Sequence, residues 1–439
     1  MNFLDYLVDP VVRGPTIASM LMSLTSALIG VIPFLKKRSL IGEALSHSAY
    51  PGIVLSVVAL ALFSSFSENS VAIGILIGAF LSALLGLYFI DLLEKHLKIS
   101  DDAALCFVLS IFFGVGVLIA SRIQVSHSLL YKQIQLFLYG QAATMTDAHI
   151  FLYGTLCLFA IIFVTLLYRL LQIVNFDRQF AKSIGIWVKG VEFFSFFLLI
   201  FAIVIGMRSV GVVLMSGMLI APAVAARQWT NQLSHLFAIA GAIGLCSGFL
   251  GNFFSLEIPK WLGIDVSLPT GPMILLTSSF ICFFSLFFAP KEGLVNRAIR
   301  IYRFQRQCIV ENLLKTLWKR GEGAVFSSTE MKSEIQLYAL KFRLLVFLLI
   351  HQGWLMRIGR DRFALTKDGF ERARRIIRLH RLWEVYLVSF LGQGVERVHK
   401  SAEEMEHILT PDLERQLTEL LNDPKKDPHN QPIPKQDLS

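Results

Sequence analysis

The chain has 439 residues, of which 54% are hydrophobic and 17% are charged, and its formal net charge is +9. A soluble globular protein carries about 25% charged residues, so this composition is typical of a membrane protein. The charges are unevenly spread, with 28 in residues 1–290 and 45 in the shorter segment 291–439. That contrast excludes a single soluble domain, and it also excludes a protein that lies wholly in the membrane. The five cysteines form no CxxC pair, which argues against a disulfide framework or a thiolate metal site.

Nine apolar segments in the first part of the chain approach the length of about 20 residues that a helix needs to cross a bilayer. They lie near residues 15–35, 45–64, 71–93, 103–120, 148–172, 190–207, 209–229, 233–253 and 270–290. Residues 128–142 are amphipathic, which is more typical of an interfacial or re-entrant segment. Basic loops stay in the cytoplasm, so the run Lys36–Arg38 after the first segment places that loop inside and the N-terminus outside. Counting onward, residues 291–439 are cytoplasmic. We predict an all-α polytopic membrane domain over 1–290, with about nine transmembrane helices.

The polar part of the chain shows the order of elements of a winged helix-turn-helix. A basic connector at 291–310 precedes a helix over Glu311–Arg320, and Ser327 with Glu330 forms a predicted capping box. An apolar helix, two strands and two further helices follow, at Tyr338–Gln352, Gly353–Ile358, Phe363–Thr366, Lys367–Phe390 and Val395–Leu409. We therefore predict a winged domain over 311–366, metal-binding and dimerisation helices over 367–422, and a flexible tail over 423–439.

One ionisable pair stands at the start of the second apolar segment. Glu43 and His47 are four residues apart, so on a helix they share a face. Such a pair is costly in a membrane unless it faces a partner or a pathway. An interfacial hydrogen bond between the two side chains explains the spacing equally well. Pro51-Gly52 predicts a broken helix, a feature that often lines transport sites.

The run GEALSHSAYPG at 42–52 resembles a motif of the manganese, zinc and iron permeases of ABC importers. Further matches are DDAAL at 101–105, FDRQFAKSIGI at 176–186, SVGV at 209–212, APA at 221–223, and Asp265 with LPTGP at 268–272. The resemblance covers nearly all of 10–290. It implies that Glu43 and His47 are pore-lining metal ligands, with Asp265 a weaker candidate for a ligand at the outer side. An oxygen and nitrogen ligand set suits Mn²⁺, Fe²⁺ or Zn²⁺ and not Cu(I).

The same resemblance makes residues 177–185 a coupling helix, with Asp177, Ala181 and Gly185 at its matching positions, whereas the pattern alone fits a solvated loop equally well. No GxxxxGK[ST] motif occurs, so no nucleotide is expected to bind through a P-loop of this chain. The resemblance implies a non-enzymatic permease in a bacterial inner membrane, driven by a separate ATPase subunit. It also implies an extracytoplasmic metal-binding protein and a second permease subunit, identical or different.

The charged part divides into two regions of opposite sign, +12 over 291–381 and −5 over 382–439. The basic region is expected to contact DNA phosphates or the lipid surface of the membrane. In the acidic region, His399, Glu403, Glu406 and His407 fall within about 100° of arc on one helix. His380 and Glu384 share a face of the preceding helix. These six residues predict a site for a divalent ion, and a solvated charged face is the alternative.

Residues 353–434 resemble the diphtheria-toxin-repressor-like, metal-dependent transcription regulators. The match consists of HRLWE at 380–384, VHKSAEEMEH at 398–407 and DPHNQPIP at 427–434. In that family the cluster on the last helix supplies most of the metal ligands. Glu403 stands where iron-type members carry Cys, which favours Mn²⁺. The family also takes ligands from the first helix of the winged domain. Here that region carries Lys315, which cannot ligate, and Glu311 is only a weak candidate.

DNA contacts are predicted for Lys341 and Arg343 on an unusually apolar recognition helix. Arg357, Arg360 and Arg362 on the wing are predicted to contact phosphates. The whole chain thus resembles the chlamydial metal permease–repressor fusions, with a divalent metal as both substrate and co-repressor and with operator DNA as a partner. The alternative is a tail that senses metal and regulates transport without binding DNA. A membrane-tethered repressor searches DNA poorly, so we also hypothesise proteolysis near 291–312.

Overall fold

The chain is described here from a computed structural model. It covers residues 5–435 except 63–67, 264–267, 336–338, 393, 395–397, 400, 403–404, 406 and 408–410. The described residues fall into two compact units, one up to Arg297 and one from Ala298 onward.

The first unit is entirely helical over its described residues. Its helices are α1 (Asp5–Val8), α2 (Pro10–Leu35), α3 (Ile41–Leu62), α4 (Glu68–Lys95), α5 (Asp101–Ser126), α6 (Ser128–Tyr139), α7 (Asp147–Leu166), α8 (Tyr168–Phe176), α9 (Arg178–Ser183), α10 (Val188–Val210), α11 (Val212–Trp229), α12 (Leu233–Leu262) and α13 (Thr270–Phe288). A short 3-10 turn, Ala142–Thr144, precedes α7. The segment predicted as interfacial contains α6, which at 12 residues is too short to span a bilayer.

Within the described residues, eight of these helices are long and apolar enough to cross a membrane, namely α2, α4, α5, α7 and α10–α13. Nine such segments were expected. Helix α3 occupies the ninth segment, predicted near 45–64, and carries Glu43, His47 and two serines in its first turns. The all-α polytopic architecture is confirmed.

Helix α3 lies at the centre of the first unit. It packs against α4, α5 and α11, and its residues Leu45, Tyr50 and Ile53 are fully or almost fully buried. Helix α2 packs against α12, α7 and α11. At Gly30 a Cβ atom would lie 1.9 Å from the carbonyl oxygen of Leu219. The close approach of α2 to α11 therefore depends on that glycine.

The second unit contains the predicted winged helix-turn-helix. Its elements are β1 (Val325–Ser327), α15 (Ser328–Ile335), α16 (Ala339–His351), β2 (Leu355–Arg357), β3 (Arg362–Leu365), α17 (Lys367–Ser389) and α18 (Pro411–Leu420). The three strands form an antiparallel sheet in the order β1-β3-β2, with Ala364 opposite both Val325 and Met356. The order of three helices and a β-wing is confirmed.

Helix α14 (Leu294–Trp318) runs without interruption through the predicted connector and the first helix of the winged domain. Two elements were not expected from the sequence. β1 has only three residues, too few to show a period, and α18 follows the last predicted helix. The capping box is confirmed, since the backbone N–H of Glu330 donates to Ser327 Oγ (3.2 Å) and that of Ser327 donates to Glu330 Oε2 (2.9 Å).

Candidate metal sites and partner surfaces

Three side chains of the second unit meet at one point. His380 and Glu384 are four residues apart on α17, and His399 approaches them from the segment that follows. Glu384 Oε1 lies 3.1 Å from His380 Nε2 and 2.9 Å from His399 Nδ1, and the two ring nitrogens are 2.9 Å apart. His380 and Glu384 are buried, while His399 is exposed. We call these three residues the tail cluster.

The size of this triangle fits a divalent metal. Two neighbouring ligands of an octahedral ion, each bonded at about 2.1 Å, lie about 3.0 Å apart. The three separations in the tail cluster are 2.9–3.1 Å. Two imidazoles and one carboxylate on one face of an ion form a known arrangement for Fe²⁺, with open positions for further ligands. The residues of the tail cluster therefore fit such an ion without rearrangement of their distances.

The electrostatics of the tail cluster favour an ionised carboxylate. Burial by itself raises the pKa of Glu384, but the hydrogen bonds from His380 and His399 outweigh it and lower that pKa to about 2. On the other side of the His380 ring, Lys315 Nζ lies 3.1 Å from Nδ1. Glu384 is therefore a charged, preformed ligand at neutral pH, and His380 is held from both sides.

The six predicted metal ligands do not all meet at the tail cluster. His407 Nδ1 instead lies 2.7 Å from Glu311 Oε2 on α14. Gln307 and Arg372 also donate to Glu311, at 3.0 and 3.2 Å. Burial raises the pKa of Glu311, but the hydrogen bond with His407, then that with Gln307, outweigh it and lower that pKa. The remaining predicted ligands, Glu403 and Glu406, lie outside the described residues.

The last described segment also reaches the tail cluster. His429 Nε2 is 4.0 Å from Glu384 Oε1. Asp427 Oδ1 accepts from the backbone N–H groups of His429 (2.9 Å) and Gln431 (2.8 Å), and its other oxygen is 3.4 Å from Arg381 Nε. These contacts differ from the flexible tail predicted over 423–439, because Asp427 organises a turn against α17. His429 was not among the predicted ligands, although it stands in the matching DPHNQPIP run.

In the membrane unit, Glu43 and His47 lie one turn apart on α3. His47 is buried, and its ring packs edge-on against Phe113 with centroids 4.5 Å apart. Its Nδ1 atom is enclosed and has no hydrogen-bond partner in the described part of the chain. A buried ring nitrogen in this condition is unusual. Asp265, the third predicted pore ligand, lies outside the described residues.

The segment predicted to couple to an ATPase forms the short helix α9. Asp177 caps it by accepting from the backbone N–H of Phe180 (2.8 Å). Ala181 is the buried residue of this helix, and Gly185 follows the end of the helix with a φ of +82°. Large apolar side chains around this helix are exposed, at Phe176, Phe180, Ile184 and Trp187. Exposed apolar patches are typical of interaction surfaces.

The five predicted DNA-contacting residues are all exposed, Lys341 and Arg343 on α16 and Arg357, Arg360 and Arg362 on the wing. Arg357 donates through Nε to Gly359 O (3.0 Å) and through Nη2 to Arg360 O. Its guanidinium therefore closes the wing turn as well as presenting charge. The exposed face of α16 also carries Leu344 and Phe347, which are 56% and 67% exposed.

Comparison with known proteins connects both units to families. Residues 9–289 match the ABC 3 transport family, and residues 366–435 match the metal binding and dimerisation domain of iron dependent repressors. A "probable metal transport system membrane protein" of Chlamydia trachomatis is 35% identical, with 97% of each chain covered. The matched region thus spans both units of this chain.

The names of two further relatives include a metal. The zinc transport system membrane protein TroC of Treponema pallidum is 35% identical over 67% of this chain and 92% of its own length. The manganese transport system membrane protein MntC of Bacillus subtilis is 31% identical over 84% of this chain and 82% of its own. On these matches and its apolar helices, the chain is a multi-pass membrane protein that belongs to the ABC 3 transport family and carries a C-terminal domain of the iron-dependent-repressor type.

Proposed function

We propose that this chain is the permease subunit of an importer for a divalent transition metal, Mn²⁺ in the first place, and that its C-terminal unit senses the same metal. The observation that carries the transport proposal is the enclosed, unpartnered Nδ1 atom of His47 one turn from Glu43. Manganese and zinc stand in the names of two relatives. The ligand types on the chain suit both ions and Fe²⁺.

In this proposal, Glu43 and His47 bind the metal on its way through the membrane. Two protein ligands hold an ion less tightly than a closed site of four or more, and a transport site must release what it binds. Asp265 adds a ligand toward the outer side. An extracytoplasmic binding protein delivers the ion, a second permease subunit completes the pathway, and an ATPase subunit docks on the exposed apolar patch around α9.

The proposed sensor lies in the cytoplasm, at the end of a chain that sits in a bacterial inner membrane. His380, Glu384 and His399 would hold one ion, and His407, Glu403 and Glu406 would add ligands near Glu311. A bound ion supplies coordination bonds between α17 and the segment that follows it. By joining those segments, metal would order the part of the chain that the matched family uses for dimerisation, and so favour binding of operator DNA.

Uptake of metal tests the transport proposal most simply. Cells that depend on this importer, given radioactive ⁵⁴Mn²⁺ at low concentration, are expected to lose uptake when Glu43 and His47 are both replaced by alanine. Competition by unlabelled Zn²⁺ and Fe²⁺ then ranks the three ions. Full uptake by the double variant would exclude the pair as the transport site.

A second candidate function for the tail is control of transport in place, without DNA. The exposed apolar face of α16, with Leu344 and Phe347, favours this alternative, because a helix that reads DNA presents polar side chains to the bases. A mobility-shift experiment with the solubilised chain and DNA from upstream of its own gene separates the two. A metal-dependent shift supports the repressor. If no shift occurs with Mn²⁺, Fe²⁺ or Zn²⁺ but metal still inhibits uptake, the tail is a regulator of transport.

A further inference from the structure

A lysine approaches the proposed sensor from the winged part of the second unit. Lys315 lies on α14, and its side chain is buried. Its Nζ atom is 3.1 Å from Nδ1 of His380. Lys315 and His380 both line one open cavity of about 570 Å³, together with Glu384, His399 and His429. Lys315 is thus a direct neighbour of a proposed metal ligand.

The chemistry of the two groups fixes the direction of this hydrogen bond. A lysine ammonium has three donors and no acceptor, so His380 Nδ1 must accept. In the neutral ring the hydrogen then stands on the other nitrogen, Nε2, where it points to Glu384 Oε1 at 3.1 Å. The order of donation is therefore Lys315 to His380 to Glu384. In this order each of the three side chains has a hydrogen-bond partner without a metal ion.

A metal ion needs the opposite arrangement. It binds through the lone pair of Nε2, and a metal-bound histidine usually donates its other ring N–H to a carboxylate or a carbonyl oxygen. Lysine cannot accept such a bond. In addition, the ammonium places a positive charge on the far side of the ring that is to bind a divalent cation. The contact from Lys315 and a metal on His380 Nε2 therefore oppose each other.

We propose that Lys315 is a positioning residue that holds the tail cluster in its hydrogen-bonded, metal-free arrangement and so raises the metal concentration at which the sensor responds. The proposal rests on the function proposed for the tail cluster. Because Lys315 belongs to the first helix of the winged domain, binding of metal must displace its side chain from α17. Occupancy of the tail cluster is thereby transmitted to α14.

The test measures Mn²⁺ affinity of the whole chain in detergent, by competition with a fluorescent chelator. Glu43→Gln and His47→Gln are present throughout, so that the pore pair does not contribute. Lys315→Met is expected to tighten binding by about 10–100-fold, and Lys315→Gln by as much or more, since its amide oxygen accepts from Nδ1. Lys315→Arg, which keeps the charge and the donor, is expected to stay near the parent value. The matched control is Lys319→Met, an exposed lysine that lines the same cavity.

Hydrogen exchange gives a second measurement that does not depend on affinity. In the parent chain, Mn²⁺ is expected to increase exchange over residues 311–318, where Lys315 leaves α17, and in Lys315→Gln this increase is absent. Unchanged or weaker Mn²⁺ binding by both Lys315→Met and Lys315→Gln overturns the role of Lys315. A different result overturns the sensor itself: if His380→Ala with Glu384→Ala changes Mn²⁺ binding in none of these chains, the tail cluster is not a metal site.

Discussion

The two proposed metal sites use the same residue types in opposite conditions. His47 and His380 are both buried, and each has a glutamate four residues away on its own helix. Yet Nδ1 of His47 has no hydrogen-bond partner in the described chain, while both ring nitrogens of His380 are engaged. In the proposed transport site, a ligand atom is left without a hydrogen bond that an ion would have to displace. A sensor must bind metal only above a threshold metal concentration. In the proposed sensor site, the ion therefore competes with hydrogen bonds that are already formed.

The largest expected effect is on metal uptake, which should depend on Glu43 and His47 and not on the tail cluster. Glu43→Ala with His47→Ala is expected to lower ⁵⁴Mn²⁺ uptake by about 100-fold, because a metal site that loses its ligands loses at least the 10–100-fold of a second-shell change. The affinity of the tail for Mn²⁺ stays unchanged. His235→Ala, an exposed histidine of α12, is the control and keeps its uptake. Retained uptake in the double variant would remove the distinction between a transport site and a sensor site.

The reverse variant tests the comparison from the other side. His380→Ala with Glu384→Ala is expected to weaken Mn²⁺ binding by the tail by about 100-fold, since two of three converging ligands are lost. Uptake at low metal stays within about twofold of the parent chain. His351→Ala, an exposed histidine stacked on Phe347 in the same unit, serves as control. A parallel loss of uptake would show that the two sites act as one.

The stability of the second unit in acid tests the hydrogen bonds of the tail cluster. The pKa of Glu384 is lowered to about 2 in the folded chain, against about 4.3 in an unfolded one. A lowered pKa stabilises the fold above pH 4.3, and this contribution is lost as the pH falls from about 4.5 to 2. The free energy of unfolding of the second unit is expected to fall by about 2 kcal/mol over that window.

Urea denaturation followed by tryptophan fluorescence measures this fall. Glu384→Gln removes the carboxyl and is expected to flatten the pH dependence. Glu419→Gln, an exposed carboxyl on α18, leaves it as in the parent chain. An unaltered slope in Glu384→Gln would mean that the hydrogen bonds to His380 and His399 do not stabilise the tail cluster.

The smallest effect concerns folding of the winged part alone. Ser327→Ala removes the side-chain cap of α15 and is expected to destabilise the second unit by about 1 kcal/mol. Mn²⁺ affinity and uptake remain unchanged, because neither proposed site contacts this cap. Ser333→Ala, which removes an exposed hydroxyl from the same helix, is the control in a urea titration. Loss of metal binding in Ser327→Ala would connect sensing to the stability of the winged part, independently of the ligands.

Much of the fold could be predicted, because hydrophobic length and charge are properties of single segments. Over the described residues, eight of the nine expected spans have the length and hydropathy of a membrane-crossing helix, and α3 occupies the ninth segment. The capping box and the wing were visible because Ser327, Glu330 and the turn near Gly359 act over a few residues. The three-residue strand β1 was not visible, because β3, with which it pairs, lies 35–39 residues further along the chain.

The grouping of the ligands could not be predicted from helical spacing. One face of a helix includes His399 and His407, but His399 turns to Glu384 on α17 and His407 turns to Glu311 on α14. Which helix stands opposite each histidine is a property of tertiary packing. The contact between Lys315 and His380 spans 65 residues. The sequence alone showed only that Lys315 cannot bind a metal ion, and not that it contacts His380.

The most direct test of the account is to locate Mn²⁺ in the purified chain by anomalous X-ray scattering at the manganese edge. At a metal concentration that saturates the sensor, we predict a peak bonded to His380 Nε2, Glu384 Oε1 and His399 Nδ1 at about 2.1–2.2 Å, with the Lys315 side chain withdrawn from His380. Mn²⁺ bound elsewhere in the second unit, with the tail cluster still joined by its hydrogen bonds, would contradict the account.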